Sequence, residues 1–196
     1  MTLMRVFLGF GAAMAVGIVL GTVFALNRTI EAVFGTWIMV ALAIPGLVYV
    51  IISFMWFGLN EFSTIFSIAL TAFPTITINI WEGVKNVDNK LTDMARVFNV
   101  SRLSRVWKVI IPQTTPYIMA SSRFGLGLAW KVTVIVELLG RSSGVGYMLN
   151  YWFQMFNMRQ VLAWTLFFSL VMIFIEVVVL KRLEEYLFSW RPDAKA

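Results

Sequence analysis

The stretch DNKLTDMARVFNVSRLSRVWKVIIP, residues 88–112, is the most informative segment of this 196-residue chain. Asp88 can accept a hydrogen bond from an early backbone N–H and so cap a helix. Asn99 tolerates the left-handed conformation that ends a helix, and Ser101 can cap a second one. Pro112 is expected to end the unit. The first predicted helix carries apolar residues at helical spacing, at Leu91, Met94, Ala95 and Phe98.

The second predicted helix of this stretch is also amphipathic. Its apolar face comprises Leu103, Val106, Trp107 and Ile110, and its basic face comprises Arg102, Arg105 and Lys108. Two short amphipathic helices joined by a turn can fill a groove in a partner protein. They can equally lie on a membrane surface, held by apolar contacts and anionic lipid. The spacing alone leaves both possibilities open.

Composition places the rest of the chain in a membrane. Residues of the AVILMFWYC set make up 60% of the sequence and charged residues only 13%, against roughly 25% charged in an average soluble domain. The chain has no cysteine and no histidine, which excludes disulfides, thiol chemistry and the common zinc and haem ligand sets. We expect no metal and no cofactor. The net charge of +6 fits the Lys/Arg excess of cytoplasmic loops, so no nucleic acid is expected.

The uncharged runs predict an all-α membrane protein with one domain over residues 1–196. Pro45-Gly46 should break the second run into an approach segment, 32–44, and a span. Gly17-x-x-x-Gly21 is typical of closely packed membrane helices. The predicted bundle has five spans, over about 6–26, 46–58, 62–82, 113–139 and 160–180.

Charge distribution predicts the orientation. Basic residues concentrate in 85–112 and in the tail, at Lys181, Arg182, Arg191 and Lys195, so both segments should be cytoplasmic. Two crossings must join them, which leaves 142–158 on the outer face. Counting backwards places Met1 to Arg5 outside, an unusual location for a basic N-terminus. We therefore expect that a usual first span is missing or that the start is assigned late.

The central stretch also resembles a known family motif. Asp93 to Arg102, running on to Ile110-Ile111-Pro112, is similar to the cytoplasmic EAA loop of ABC importer permeases: Glu-Ala-Ala, three residues, Gly, then an apolar pair and Pro. The spacing matches, and three positions depart from the pattern, at Asp93, Met94 and Asn99. Trp56–Glu61 resembles the turn before the family's fourth span. Ala129–Lys131, Glu137–Gly140 and Ser143–Tyr147 are similar to the branch that transports nitrate, sulfonates, taurine, bicarbonate or vitamin-precursor pyrimidines.

The resemblance implies the type I ABC importer permease fold and a place in the bacterial cytoplasmic membrane. It implies a second permease copy, most simply an identical one, two ABC ATPase subunits and an extracytoplasmic substrate-binding protein, within membrane lipid. No Gly-x-x-x-x-Gly-Lys-[Ser/Thr] loop occurs in the sequence, so ATP hydrolysis is expected in a separate subunit and the chain is not expected to be an enzyme. The implied ATPase-coupling residues are Asp93, Met94, Ala95, Arg96, Asn99, Ser101, Arg102 and Pro112.

Charged residues inside the predicted fourth span are the candidates for a substrate pathway. Arg123, Lys131 and Glu137 would each be costly in lipid, at about 2.5–3.5 kcal/mol for a basic group at the bilayer centre. Arg123 and Lys131 either form the cationic wall of an anion path, or pair with carbonyls or with Glu137, or extend to the membrane interface. A neutral vitamin-precursor solute is the alternative substrate. A membrane scaffold and an intramembrane enzyme are the competing functional classes, and the enzyme lacks a plausible pair of acids.

Overall fold

The computed structural model describes residues 1–187, and every regular element in that range is a helix. The all-α prediction is thus confirmed for the described part of the chain. The predicted tail residues Arg191 and Lys195, and the side chain of Arg102, lie outside the described residues. The elements are α1 (Thr2–Leu26), α2 (Arg28–Ala43), α3 (Gly46–Phe57), α4 (Glu61–Lys85), α5 (Asn89–Val97), α6 (Arg102–Arg105), α7 (Ile111–Gly140), α8 (Val145–Gln154), α9 (Met158–Phe174) and α10 (Lys181–Leu187), with π-helical segments at Val106–Ile110 and Ile175–Leu180.

Helix α1 packs closely along α4 through a stripe of small residues. Its buried positions include Arg5, Gly9, Ala13, Gly17 and Gly21, which recur every four residues and so share one face. A Cβ added at Gly17 would lie 2.5 Å from the Cγ2 of Ile76, and one added at Gly21 would lie 2.7 Å from the carbonyl oxygen of Thr77. The missing side chains therefore let the two backbones approach. The prediction that Gly17 and Gly21 serve packing is confirmed.

The second uncharged run is broken at the position that Pro45-Gly46 predicts. Helices α2 and α3 meet at an angle of 97°, on either side of Ile44 and Pro45. The hydroxyl of Tyr49 donates a 2.7 Å hydrogen bond to the carbonyl of Ala41 across the break. The same carbonyl accepts a 3.3 Å hydrogen bond from the Ile44 N–H. Pro45 has no N–H to donate to it, so the Tyr49 hydroxyl takes the place of that donor.

The prediction that Pro112 ends the loop unit is wrong. Helix α6, the π-helical segment Val106–Ile110 and helix α7 follow one another without interruption, and Pro112 lies in the first turn of α7. Because the helix continues through this point, Pro112 has no N–H to donate to a carbonyl of the preceding turn. The wider π turn before it, closed by the Ile111 N–H on the Val106 carbonyl, accommodates the ring. The loop and the long helix are therefore one continuous element.

Within residues 1–187, three helical stretches are long and apolar enough to cross a bilayer: Thr2–Leu26, Glu61–Lys85 and Met158–Tyr186. The bent pair α2 and α3 qualifies together as a fourth. Helix α7 has 30 residues, about 45 Å at 1.5 Å per residue, but its polar residues keep it out of that group. The count of five spans stays a prediction. Helix α8, with 10 residues, is too short to cross.

The helix termini define two ends of the bundle. Lys85 at the end of α4 and Ile111 at the start of α7 lie at what we call the loop end. Glu61 at the start of α4 and Gly140 at the end of α7 lie at the opposite end. Helix α1 runs from the opposite end to the loop end, since Arg5 contacts Glu61 and Phe24 contacts Trp81.

Substituting Gly17 by Ala should destabilise the bundle, because the new methyl group must displace Ile76. Overpacking of this kind costs about 1–3 kcal/mol, which should lower the thermal midpoint in detergent by several degrees. The matched control is Gly11→Ala on the same helix, where an added Cβ meets nothing within 4 Å. Equal midpoints for the two variants would contradict close packing at Gly17.

Candidate functional site

The loop helices form with the local structure that their sequence predicts. The Asp88 carboxylate accepts a 2.8 Å hydrogen bond from the N–H of Lys90 at the start of α5. Asn99 has a φ of 52°, and the Val100 N–H donates to the Ala95 carbonyl across this turn at 2.9 Å. The Ser101 hydroxyl then accepts a 3.3 Å hydrogen bond from the N–H of Ser104 and caps α6.

The apolar face of these helices is exposed in the isolated chain. Phe98 is 70% exposed and Trp107 is 64% exposed, and the other exposed apolar residues of the face are Leu91, Met94, Val97, Leu103 and Val106. Exposed large apolar side chains concentrated on two short helices are typical of a surface that a partner or a membrane covers. We call these seven residues the loop face.

Other predicted coupling residues are buried or make contacts within the loop itself. Ala95 is only 8% exposed, so its side chain packs within the loop and does not belong to the loop face. Asp93 and Arg96 pair with each other at 3.1 Å, one turn apart and largely exposed. Sequence reasoning missed Gln113, whose side-chain oxygen accepts a 2.8 Å hydrogen bond from the Asp88 N–H. This contact fixes the start of α5 to the first turn of α7.

The three predicted pathway residues of α7 are not brought together. Arg123 forms an ion pair with Glu184 of α10, in which both side chains remain partly exposed. Lys131 is exposed on the surface of the chain. Glu137 is fully buried and belongs to an ion-pair cluster at the opposite end. The structure therefore places Glu137 inside the protein instead of on a pathway wall shared with the two cations.

Arg5 is the centre of that cluster, and all five of its N–H groups are paired. Its Nε and Nη2 donate to the two carboxylate oxygens of Glu61 at 2.9 and 2.7 Å. Its Nη1 donates to Glu137 and to the Ser143 carbonyl, both at 2.7 Å. The fifth bond runs from Nη2 to the Ser143 hydroxyl at 3.0 Å. A guanidinium has five donors in a planar fork, so no capacity remains for a ligand.

Glu137 connects the same cluster to the turn after α7. One of its oxygens accepts from Arg5, and the other accepts 3.0 Å bonds from the Thr2 hydroxyl and the Gly146 N–H. Gly144 has a φ of 114°, and a Cβ there would overlap the Glu137 carboxylate. Glycine is therefore required at this turn for its conformation and for space.

Arg141 completes the cluster by pairing with Glu61, so the two acids balance two cations. The cluster joins the start of α1, the start of α4, the end of α7 and the following turn. Sequence reasoning treated Arg5 only as the boundary of an apolar run. One signal could have found the contact: antiparallel spans place Arg5, Glu61, Glu137 and Arg141 at the same end of the bundle.

Within residues 1–187 no three Asp or Glu side chains are grouped so that they could hold a metal ion. The saturated cluster is a structural element, whereas the exposed loop face is a surface available for binding.

Comparison with known proteins identifies the chain. The family model described as the binding-protein-dependent transport system inner membrane component matches residues 13–187. The chain belongs to this family. It is an ABC importer permease subunit and a multi-pass protein of the cytoplasmic membrane.

Individual relatives agree with this assignment. A Methanocaldococcus jannaschii protein provisionally named as an ABC transporter permease is 35% identical over 97% of this chain and 72% of its own length. A Bacillus subtilis protein provisionally named as the aliphatic sulfonates transport permease SsuC is 34% identical over 95% of this chain and 67% of its own. The nitrate import permease NrtB of Synechococcus elongatus is 32% identical over 76% of this chain and 53% of its own.

A solved structure supports the fold. A chain of the MetNI methionine ABC transporter, solved in inward-facing conformations, superposes with a TM-score of 0.76 over 95% of this chain and 90% of that chain. The two sequences are 15% identical, so this likeness concerns the fold alone. The predicted type I importer permease fold is confirmed.

Removing the Glu137 charge should destabilise the permease markedly. Glu137→Gln leaves the buried Arg5 with one acid fewer, and losing one partner of a buried, hydrogen-bonded charge costs about 2–4 kcal/mol. Glu184→Gln is the matched control, because it breaks a partly exposed pair worth at most about 1 kcal/mol. Thermal unfolding in detergent measures both. A Glu137→Gln midpoint no lower than that of Glu184→Gln would contradict the role of the cluster.

Proposed function

We propose that this permease, paired with a second copy, forms the pathway through which an ABC importer takes up a small anion such as an alkanesulfonate, taurine, nitrate or bicarbonate. The observation that carries the proposal is the exposed loop face at one end of a helical bundle of the importer permease fold. Such a face requires a partner, and an importer permease without a phosphate-binding loop requires an external ATPase. A soluble binding protein would deliver the substrate at the opposite end.

The loop face would dock on the ATPase subunits. Phe98 and Trp107 offer aromatic side chains of the kind that anchor protein interfaces. Asp93 and Arg96, already paired with each other, would lie at the polar rim of such an interface. A membrane scaffold, in which the same face lies on lipid, is the alternative, and it predicts no association with an ATPase.

The continuous helix from the loop into the bundle suggests how movement would be transmitted. Arg102–Arg105, the π-helical segment and α7 form one element, so a displacement of the loop would act on α7 directly. ATP-driven closure of two ATPases would draw two such loops together and switch the pathway between its outward-open and inward-open forms. The account assumes that residues 85–112 are cytoplasmic, in agreement with their basic charge.

The substrate assignment depends on Lys131 more than on Arg123. Lys131 is an exposed cation on a helix whose neighbouring residues Trp130 and Val132 are buried in the core. An ammonium facing lipid would be costly, so Lys131 must face either water or the second permease copy. Arg123 is already neutralised by Glu184 and would contribute less to the attraction of an anion. A neutral vitamin-precursor solute, the alternative substrate, would need neither charge.

Placing a charge on the loop face should uncouple transport. Phe98→Asp inserts a carboxylate where an apolar contact is expected, and hot-spot aromatics typically contribute at least about 2 kcal/mol to binding. ATPase retention during purification, and ATP-dependent uptake, should both fall at least about tenfold. Phe156→Asp is the control, since Phe156 is 94% exposed at the opposite end. Normal ATPase retention by Phe98→Asp would contradict docking through the loop face, and a wild-type permease that retains no ATPase would favour the scaffold.

Removing the Lys131 charge should slow anion uptake while leaving the ATPase bound. Lys131→Met keeps the length of the side chain, and one charge contact in a partly screened path is worth about 1–4 kcal/mol, so uptake should fall about tenfold. Arg123→Met should have a smaller effect. If the Lys131→Met permease takes up solute at the normal rate, the transported solute does not interact with this charge. That result would favour a neutral vitamin-precursor solute as the substrate.

A further inference from the structure

A cleft of about 820 Å³ opens at the loop end of the bundle, outside the regions that the transport proposal uses. It lies between the last turn of α1, the first half of α2 and the end of α4. The residues that determine its chemistry are Arg28, Glu31, Gly35, Trp81 and Lys85. Gly35 keeps α2 close to α4, since an added Cβ would lie 2.9 Å from the Trp81 ring.

The cleft contains one cation more than it contains acids. Lys85 pairs with Glu31, and its Nζ lies 5.1 Å from the centre of the Trp81 ring. Arg28 is exposed, and its guanidinium forms no ion pair with the described residues. Of the three charged side chains lining the cleft, Lys85 and Glu31 neutralise each other and Arg28 remains. The cleft is therefore suited to an anion with a single charge.

Trp81 adds an aromatic ring to the same wall. Its ring packs edge-on against Phe24 at 5.7 Å, and its Nε1 is buried without a hydrogen-bond partner. A buried N–H without an acceptor is uncommon and costs stability. The Trp81 ring therefore supplies an aromatic wall beside Lys85, and its buried Nε1 is not among the groups that would hold a ligand.

The location of the cleft favours an acceptor that is attached to apolar chains. Trp81, Lys85 and Arg28 lie at the ends of bilayer-crossing helices, where aromatic and basic side chains meet lipid headgroups. The outer surface of α2 beyond the cleft is apolar and exposed, at Val33, Trp37 and Val40. Basic pockets between transmembrane helices are suited to anionic lipid headgroups. A free anion would leave that apolar surface uncovered.

We propose that this cleft binds one anionic phospholipid, with its phosphate against Arg28 and its acyl chains along the outer surface of α2. The lipid would occupy the space between α2 and α4, and so support α2 on the bundle side of its sharp bend. This site is independent of the substrate and of the ATPase, and it requires only that the helices span a bilayer.

The test measures which lipids the purified permease retains. The permease is incorporated into nanodiscs with equal amounts of phosphatidylglycerol and phosphatidylcholine, and the lipids that remain bound are counted by native mass spectrometry. Wild type should retain phosphatidylglycerol preferentially. Arg28→Gln should lower that preference by about tenfold, equivalent to about 1.4 kcal/mol, and Arg28→Lys should restore most of it.

The control is Arg159→Gln, an exposed basic residue at the opposite end, which should leave the preference unchanged. An unchanged preference in Arg28→Gln, or equal retention of both lipids by wild type, would overturn the proposal. Release of the bound lipid by millimolar inorganic phosphate would overturn it too, since the cleft would then be a site for free phosphate.

Discussion

A guanidinium inside an apolar helical bundle is stable only when each of its N–H groups is paired, and the rest of this permease depends on how Arg5 meets that condition. Its partners come from α4, from α7 and from the turn after α7. Because Arg5 shares a helix face with Gly9, Gly17 and Gly21, fixing its position also fixes the register in which the glycine stripe meets α4. One side chain thereby sets the relative positions of three helices.

The two ends of the bundle differ in how far their charged and apolar side chains are paired or covered within the chain. At the opposite end the four charges pair with one another within the chain. At the loop end the loop face has no covering, and Arg28 has no ion-pair partner among the described residues. The chain is held together by internal ion pairs at the opposite end, and it presents the exposed loop face at the loop end. Helix α7 connects the two ends, since it begins at the loop and ends at the cluster.

Local features of this fold could be predicted from the sequence, and long-range contacts could not. The Pro45 break and the Asp88, Asn99 and Ser101 caps depend on residues within a few positions of one another, so spacing was enough. Arg5 and Glu137 are 132 positions apart. A helical pattern gives the depth of each charge in the bilayer but not the neighbour that it faces, and so the cluster was missed. Pro112 was misjudged because the preceding π turn depends on the continuation of the helix, which one residue type does not reveal.

The central claim is that this chain is the transport subunit of an ATP-driven importer, coupled to its ATPase through the loop face. The most direct measurement reconstitutes the permease with the ATPase and the binding protein encoded by neighbouring genes, and follows uptake of a radiolabelled alkanesulfonate, taurine and nitrate into proteoliposomes. The account predicts that the permease retains the ATPase and that at least one of these solutes accumulates only when ATP and the binding protein are both present. A permease that retains no ATPase, or vesicles that accumulate the solute equally without ATP, would contradict it.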